Sequence, residues 1–169
     1  MLEPKVHLNP MHTATKSSKI DISTESKTAN IASKLSDILK KGDVLFLYGE
    51  IGLGKTTLIR NLINIIQKKE NLPITEILSP TFNLVNEYQI KDLVIMHYDL
   101  FRIKNIDETK SIGLFENYKE ALTLIEWPEK ISIKPKERIE LYFEYNDNLD
   151  KRFLTIKDYG SYNIKGLFE

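Results

Sequence analysis

The sequence contains no cysteine, which excludes disulfide bonds and thiolate metal sites. Its three histidines are widely spaced, and two of them fall within the first twelve residues, so a zinc site is not expected. No apolar run approaches the ~20 residues that a membrane-spanning helix needs, and the N-terminal residues lack the apolar block of a signal peptide. We therefore expect a cytoplasmic protein with no membrane partner.

An excess of charge of either sign is also missing, because 24 Lys and Arg residues balance 24 Asp and Glu residues. Such a chain has no overall field that draws it to nucleic acid, so any RNA is expected to be held mainly by a partner protein. The 169 residues suit one domain with a real core. Residues 1–19 show no periodicity and are predicted to form a flexible tail, followed by one domain over residues 20–169.

One stretch, residues 44–62, organises the rest of the chain. Its residues 49–56, GEIGLGKT, match the phosphate-loop pattern G-x-x-x-x-G-K-[ST] completely and follow an apolar run at 44–48. In such a loop, backbone N–H groups wrap a polyphosphate while a lysine, here Lys55, reaches its β and γ phosphates. Thr56 would offer its hydroxyl to Mg²⁺. The pattern predicts a nucleotide-binding strand, turn and helix.

The remaining periodicities predict an α/β fold: a single P-loop NTPase-like domain with a mostly parallel central sheet, flanking helices and antiparallel hairpin strands. The predicted elements are an edge strand at 19–23, a helix capped by Thr24 and ending by Gly42, the strand and helix around the phosphate loop, the latter ending near Lys69, a strand at 74–78, a hairpin of 84–90 and 93–98, a helix and turn within 105–118, a strand at 121–125, and a hairpin of 137–145 and 152–159.

Polar residues follow several of the predicted strands. Thr81, Asp99 and Glu126 come directly after or close to apolar runs, and the carboxyl ends of parallel strands lie at one edge of a sheet. We therefore expect these side chains to meet the γ-phosphate near Lys55. Asp99 would hold Mg²⁺, directly or through water, Glu126 would complete the metal shell or position the attacking water, and Thr81 would sense the γ-phosphate.

Each of these residues also has a purely structural interpretation. Asp99 would then cap a turn and pair with Arg102, Glu126 would be a solvated loop acid, and Thr81 would only shape a turn. His97, within the strand before Asp99, is more typical of a structural histidine than of a catalyst. Trp127 is more typical of a core or rim aromatic than of a ligand platform.

Four blocks in order, GEIGLGKTT, SPTFNLVNEY, HYDLFR and LIEWPEK, resemble the TsaE family, formerly YjeE, over residues 20–152. The resemblance implies a bacterial ATPase of the tRNA threonylcarbamoyladenosine pathway that uses ATP and Mg²⁺. It also implies that the chain joins the TsaB and TsaD proteins and meets tRNA indirectly, through that assembly.

The resemblance further implies residue roles. Residues 52–57 would bind phosphates, Thr56 and Glu126 would contact Mg²⁺, and the segment of residues 24–28 would lie near the adenine. Phe101 stands where the family usually has tyrosine. The candidate nucleotide-binding residues are Thr24, Glu25, Thr28, Glu50, Ile51, Gly52, Leu53, Gly54, Lys55, Thr56, Thr57 and Arg152.

Two rival functions share the phosphate loop. One is a nucleotide-gated binding module without useful hydrolysis, and the other is a small-molecule kinase, which usually needs several arginines on a lid. A GTPase is disfavoured because no [NT]-K-x-D segment is present. The sequence does not obviously present an arginine to its own phosphate site, so the ATPase is expected to be weak until partners dock.

Overall fold

The computed structural model of the chain describes residues 14–162 and 164–168. Within these residues, eight strands form one sheet, and three α-helices and two short 3₁₀ turns accompany it. In chain order the elements are β1 (Thr15–Lys16), β2 (Ile20–Asp21), α1 (Glu25–Ile38), β3 (Val44–Tyr48), α2 (Lys55–Lys69), β4 (Val85–Ile90), β5 (Leu93–Asp99), α3 (Asp107–Ser111), β6 (Ala121–Glu126), β7 (Arg138–Tyr145) and β8 (Arg152–Tyr159), with the 3₁₀ turns at Tyr118–Glu120 and Pro128–Lys130.

The centre of the sheet is parallel. Strands β7, β3, β6 and β5 lie side by side in that order and run in the same direction. Antiparallel strands extend both sides: β4 pairs with β5, β8 pairs with β7, and the two-residue strands β1 and β2 pair with β8. The predicted α/β fold with a parallel centre and two hairpins is confirmed.

The alternation of side chains along β3 divides the core into two layers. Leu45 and Leu47 point to the face that α1 and α2 cover, where they join the larger apolar cluster. Val44 and Phe46 point to the other face, which the connection after β5 covers. Because apolar residues occupy both faces, β3 is buried on both sides, as a central parallel strand should be.

The first two helices begin where the sequence predicts. The Thr24 side chain accepts the backbone N–H of Lys27 at 3.3 Å, so Thr24 caps α1 as expected. Gly54 precedes α2 with φ of 100°, a left-handed conformation that glycine adopts readily, and α2 ends at Lys69. The phosphate loop therefore lies between the end of β3 and the start of α2.

The strand predicted at 74–78 is wrong, because this segment is irregular. The sheet ends at β4, and this segment does not pair with it. The α2 side chains hold it instead: Gln67 bonds both the hydroxyl and the backbone N–H of Thr75, and Arg60 Nε donates to the Ile77 carbonyl at 3.3 Å. Ile77 is buried although its segment is irregular. In the sequence, a buried apolar residue of this kind looks the same as one in a strand.

Two other predictions need adjustment. The helix predicted within 105–118 is only the five residues of α3. Of the predicted tail, residues 1–13 lie outside the described residues, whereas Thr15–Lys16 pairs with β8. None of the helices in the described part of the chain has the length and apolar character that crossing a membrane requires.

Candidate functional site

A cleft of about 430 Å³ opens at the edge of the sheet where β3, β5 and β6 end. Asp99 and Glu126 are register partners at the last positions of β5 and β6, so the sheet itself brings the two acids to one edge. The cleft is lined by Ile51, Gly52, Gly54, Lys55, Thr56, Thr57, Ser79, Thr81, Asp99, Phe101, Glu126, Trp127 and Arg152. The first turn of α2 therefore faces the same space as both acids.

The phosphate loop depends on glycine at its first position. A Cβ added to Gly49 would lie 2.8 Å from the Phe143 carbonyl oxygen, closer than real Cβ atoms approach, so β7 leaves no room for a side chain. Within the loop, Leu53 is buried in the core, while Ile51 is exposed. Leu53 thus anchors the loop, and the backbone on either side of it stays at the cleft.

Lys55 is almost completely buried and is held by the loop. Its Nζ donates to the carbonyl oxygens of Gly49 at 2.5 Å and Glu50 at 2.9 Å, and it lies 4.4 Å from the centre of the Trp127 ring. Burial lowers the pKa of this ammonium below its usual value, whereas the neighbouring carboxylates, Glu126 foremost, oppose that change. An ammonium that donates to uncharged carbonyl oxygens of its own loop is a favourable place for a phosphate oxygen.

Thr56 and Glu126 form the contact on which the metal prediction depends. The Thr56 hydroxyl lies 3.1 Å from each carboxylate oxygen of Glu126, and Glu126 is 3% exposed. His97 Nε2 lies 2.9 Å from the Oε1 oxygen of the same carboxylate. The structural alternative of a solvated loop acid is therefore wrong for Glu126.

Asp99 fixes the connection before β4. Its Oδ2 oxygen accepts hydrogen bonds from the hydroxyls of Ser79 at 2.7 Å and Thr81 at 3.3 Å, and its Oδ1 oxygen accepts the Phe101 N–H at 3.0 Å. The pairing with Arg102 is not found, since the Arg102 guanidinium lies over the Phe82 ring at 4.2 Å. Asp99 therefore caps a turn, as its structural interpretation predicts, and also lines the cleft.

Arg152 lies beside the phosphate loop. A Cβ added to Gly54 would be 3.4 Å from Arg152 Nη1, and Arg152 Nη2 donates to the Ser23 carbonyl at 3.0 Å. Arg152, a candidate nucleotide-binding residue, thus lies at the cleft although the sequence alone does not obviously present an arginine there, because β8 pairs with β7 and β7 pairs with β3, the strand that leads into the loop. The sequence separation of these segments concealed this contact.

Some candidate residues are not part of the cleft lining within the described chain: Thr24, Glu25, Thr28, Glu50 and Leu53. Thr28 is 4% exposed, and its hydroxyl donates to the carbonyl oxygens of Ile22 and Thr24, so it holds the start of α1 in place. The Glu50 carbonyl takes part by accepting Lys55. Thr24 and Glu25 follow directly on Ser23, which Arg152 ties to the cleft.

The residues at the cleft fit a hard divalent cation bound together with a polyphosphate. Thr56 and Glu126 supply a hydroxyl and a carboxylate, and Mg²⁺ characteristically takes one or two such protein oxygens besides phosphate oxygens and water. The charges of the lining also suit a divalent cation. The positive charges of Lys55 and Arg152 are matched by the negative charges of Asp99 and Glu126, so the lining alone would not neutralise a triphosphate. No cluster of three or more His, Cys, Asp or Glu ligands was found among residues 14–162 and 164–168.

Sequence reasoning missed three contributors to the site. Ser79 makes the shorter of the two hydroxyl contacts to Asp99, Trp127 lies against the Lys55 ammonium, and His97 contacts Glu126. The signal for Ser79 was available, because it lies two residues before Thr81 in the same turn. The role of His97 needed the register of β5 with β6, which no local pattern carries.

Comparison with known proteins identifies the family. The family model described as "Threonylcarbamoyl adenosine biosynthesis protein TsaE" matches residues 22–153. The chain belongs to the TsaE family. Among curated TsaE proteins, that of Rickettsia conorii is 36% identical over 136 residues, covering 80% of this chain and 75% of the relative. The TsaE protein of a Nostoc species is also 36% identical over 136 residues, covering 76% and 79%.

A solved structure supports the fold. The crystal structure of YdiB from Bacillus subtilis matches with a TM-score of 0.62 at 24% sequence identity, covering 88% of this chain and 89% of that one. Both this fold and the TsaE family are consistent with a nucleotide-binding protein. Membership of the TsaE family connects the chain with tRNA threonylcarbamoyladenosine biosynthesis.

Proposed function

We propose that this TsaE-family protein binds ATP with Mg²⁺ and hydrolyses it to ADP and phosphate as part of the tRNA threonylcarbamoyladenosine machinery. The observation that carries the proposal is the convergence of a complete phosphate loop, the Thr56–Glu126 pair and Asp99 on one cleft. We further propose a cytoplasmic location, because the pathway named for the family acts on tRNA.

The phosphate loop would hold the β and γ phosphates. Backbone N–H groups of residues 52–57 and the start of α2 point positive charge at the anion. For this, the Lys55 ammonium exchanges the carbonyl oxygens of Gly49 and Glu50 for phosphate oxygens. Arg152, beside Gly54, adds a second positive charge on the same side.

Thr56 and Glu126 would hold Mg²⁺, which when bound neutralises charge on the β and γ oxygens. The contact of the Thr56 hydroxyl with both oxygens of Glu126 supports this shared role. Asp99 holds Ser79 and Thr81 at the cleft, so these hydroxyls respond to the phosphate end of the nucleotide. The Asp99 carboxylate would contribute to the Mg²⁺ coordination shell through a water molecule.

The distribution of arginines disfavours a small-molecule kinase. The chain has Arg60, Arg102, Arg138 and Arg152. Arg60 bonds the Ile77 carbonyl, Arg102 stacks on Phe82 and Arg138 pairs with buried Glu140, which leaves Arg152 at the cleft. A kinase that gathers charge on a lid needs more free arginines than that.

We propose that hydrolysis is slow in the isolated chain and that docking on a TsaB–TsaD assembly activates it. Lys55 is bonded to its own loop, and both oxygens of Glu126 are bonded to Thr56. Reorganising these contacts costs free energy, which a partner that contacts the loop can supply. The role of tRNA is indirect, through the same assembly.

The decisive experiment measures phosphate release by the purified chain alone, with TsaB and TsaD, and with tRNA added. We expect Mg²⁺-dependent release from ATP that increases with the partners and falls by 10-fold or more in Glu126→Gln, as removal of a charge-stabilising group does. Glu120→Gln, an exposed acid paired with Lys41 outside the cleft, serves as control. Tight ATP binding with no release under any condition would instead identify a nucleotide-gated binding module.

A further inference from the structure

We propose that His97 is a positioning residue for Glu126: its Nε2–H donates to Oε1 and holds the carboxylate toward the Thr56 hydroxyl, where the metal and nucleotide meet. This inference rests on the proposed function. The contact is 2.9 Å long, and the two side chains are 0% and 3% exposed. No solvent molecule can easily replace the histidine as a donor there.

The strand register explains why these two side chains meet. His97 on β5 is the partner of Leu124 on β6, and Glu126 follows Leu124 by two residues. Because side chains alternate along a strand, residues two apart lie on the same face. His97 and Glu126 are therefore diagonal neighbours on one face of the sheet, with His97 one step further from the cleft.

The protonation of the ring follows from its partner. A carboxylate only accepts hydrogen bonds, so the proton that makes the contact belongs to Nε2. His97 Nδ1 is buried and has no hydrogen-bond partner in the described part of the chain. A buried polar atom without a partner costs stability, so an apolar residue would suit this strand better as a core position. The arrangement therefore favours a role at the site over a role in packing.

The consequence of the contact is orientation. Glu126 has Thr56 on one side and His97 on the other, and together they restrict rotation of the carboxylate. Residues that bond a metal-binding carboxylate or imidazole from behind fix its geometry, and their loss typically costs about 10- to 100-fold in metal affinity or activity. His97 does not line the cleft, so it acts through Glu126 and not on the nucleotide.

Three variants separate positioning from packing. Glutamine at position 97 keeps an N–H donor close to the place of Nε2, asparagine keeps a polar group that falls short of it, and leucine removes the donor while filling space. The full-length chain is used, and ATP affinity is measured from Trp127 fluorescence with Mg²⁺ and with EDTA. Steady-state turnover in the presence of TsaB and TsaD separates kcat from KM, and thermal unfolding without nucleotide checks the fold.

Mg²⁺ should raise the ATP affinity of the wild-type chain, and we expect this increase to be smaller by about 10-fold or more in His97→Leu. The ATP affinity of His97→Leu measured in EDTA should stay within about twofold of wild type. Its kcat should fall while its unfolding temperature stays at or above that of wild type. His97→Gln should retain most of the Mg²⁺-dependent gain, and His97→Asn should lose it.

An unchanged Mg²⁺-dependent gain in folded His97→Leu would overturn the inference, as would identical behaviour of the glutamine and asparagine variants. If His97→Leu does not fold, the comparison of His97→Gln with His97→Asn tests the inference in its place. Failure of the proposed function itself is recognised separately in the wild-type chain, which would then show no Mg²⁺-dependent ATP binding, or binding without phosphate release in the presence of TsaB and TsaD.

Discussion

The Thr56 hydroxyl lies 3.1 Å from each carboxylate oxygen of Glu126, which joins the first turn of α2 to the end of β6 across 70 residues of sequence. The contact depends on the parallel pairing of β3 with β6, because β3 carries the loop that leads into α2. A hydroxyl and a carboxylate held in contact beside the phosphate loop supply the two oxygen ligands of the proposed magnesium site.

The first prediction concerns this pair. Thr56→Val keeps the shape of the side chain and removes its hydroxyl, so Mg²⁺-dependent ATP binding should weaken by about 10-fold or more. Thr56→Ser retains the hydroxyl and should keep most of that binding. Titrations of Trp127 fluorescence with ATP, in Mg²⁺ and in EDTA, measure both variants. Equal Mg²⁺-dependent affinities of the valine and serine variants would contradict the assignment of Thr56.

The second prediction uses the contact between Lys55 and the only tryptophan of the chain. In the proposed function, a bound phosphate would draw the Lys55 ammonium away from the Trp127 ring, so ATP should change the Trp127 emission. Lys55→Met should alter the emission without nucleotide, weaken ATP binding by at least tenfold, and remove the response. Lys104→Met, an exposed lysine outside the cleft lining, is the control. A full ATP response in Lys55→Met would disprove the contact's role.

The third prediction concerns the anchor formed by Asp99. Because its Oδ2 oxygen accepts both the Ser79 and Thr81 hydroxyls, Asp99→Ala should release the connection before β4. Backbone hydrogen exchange of residues 79–84 should become faster, whereas exchange in β3 should not change. Asp92→Ala in the exposed turn of the β4–β5 hairpin is the matched control. Unchanged exchange in residues 79–84 would show that other contacts hold this segment.

The sequence was sufficient to predict elements whose signals are local. The apolar run of β3, the glycines of the loop and the periodicity of α2 each depend on neighbouring residues, and all three elements were predicted correctly. The positions of Asp99 and Glu126 could also be predicted, because a parallel sheet brings strand ends to one edge. Local chemistry and one general rule of topology thus define most of the cleft.

What could not be predicted depends on pairing between distant segments. The 74–78 segment has the apolar content of a strand, but the α2 side chains hold it as an irregular connection. The contact of His97 with Glu126 requires the β5–β6 register, and the place of Arg152 requires the pairing of β8 with β7 and of β7 with β3. A single sequence carries no direct signal for such registers.

The fourth prediction tests the fit of the phosphate loop against β7. A Cβ at position 49 would lie 2.8 Å from the Phe143 carbonyl, so Gly49→Ala must displace backbone and should destabilise the fold by about 1–3 kcal/mol or more. Gly166→Ala is a matched control, because Gly166 has φ of 81° and open space around its Cα. Thermal or denaturant unfolding compares the two variants. An equal loss of stability in both would mean that the loop moves away from Phe143 without cost.

The last prediction concerns pH and is independent of the cleft. Asp158 is 3% exposed, and its Oδ1 oxygen has no hydrogen-bond partner among the described residues. Burial, with a smaller contribution from the Glu137 charge, raises the pKa of Asp158 from 3.8 to about 6. The folded state therefore binds a proton on Asp158 more tightly than the unfolded state does.

The sign of the pH effect follows from this difference. The contribution of protonated Asp158 to stability is complete below about pH 4 and is lost as the pH rises through about 6. Asp158→Asn removes the charge that must be buried at neutral pH, so it should stabilise the protein by up to about 3 kcal/mol at pH 7–8 and by little at pH 4. Denaturant unfolding at several pH values measures the difference, with exposed Asp147→Asn as control. A stabilisation by Asp158→Asn that is the same at pH 4 and pH 8 would rule out a titrating Asp158 as its cause.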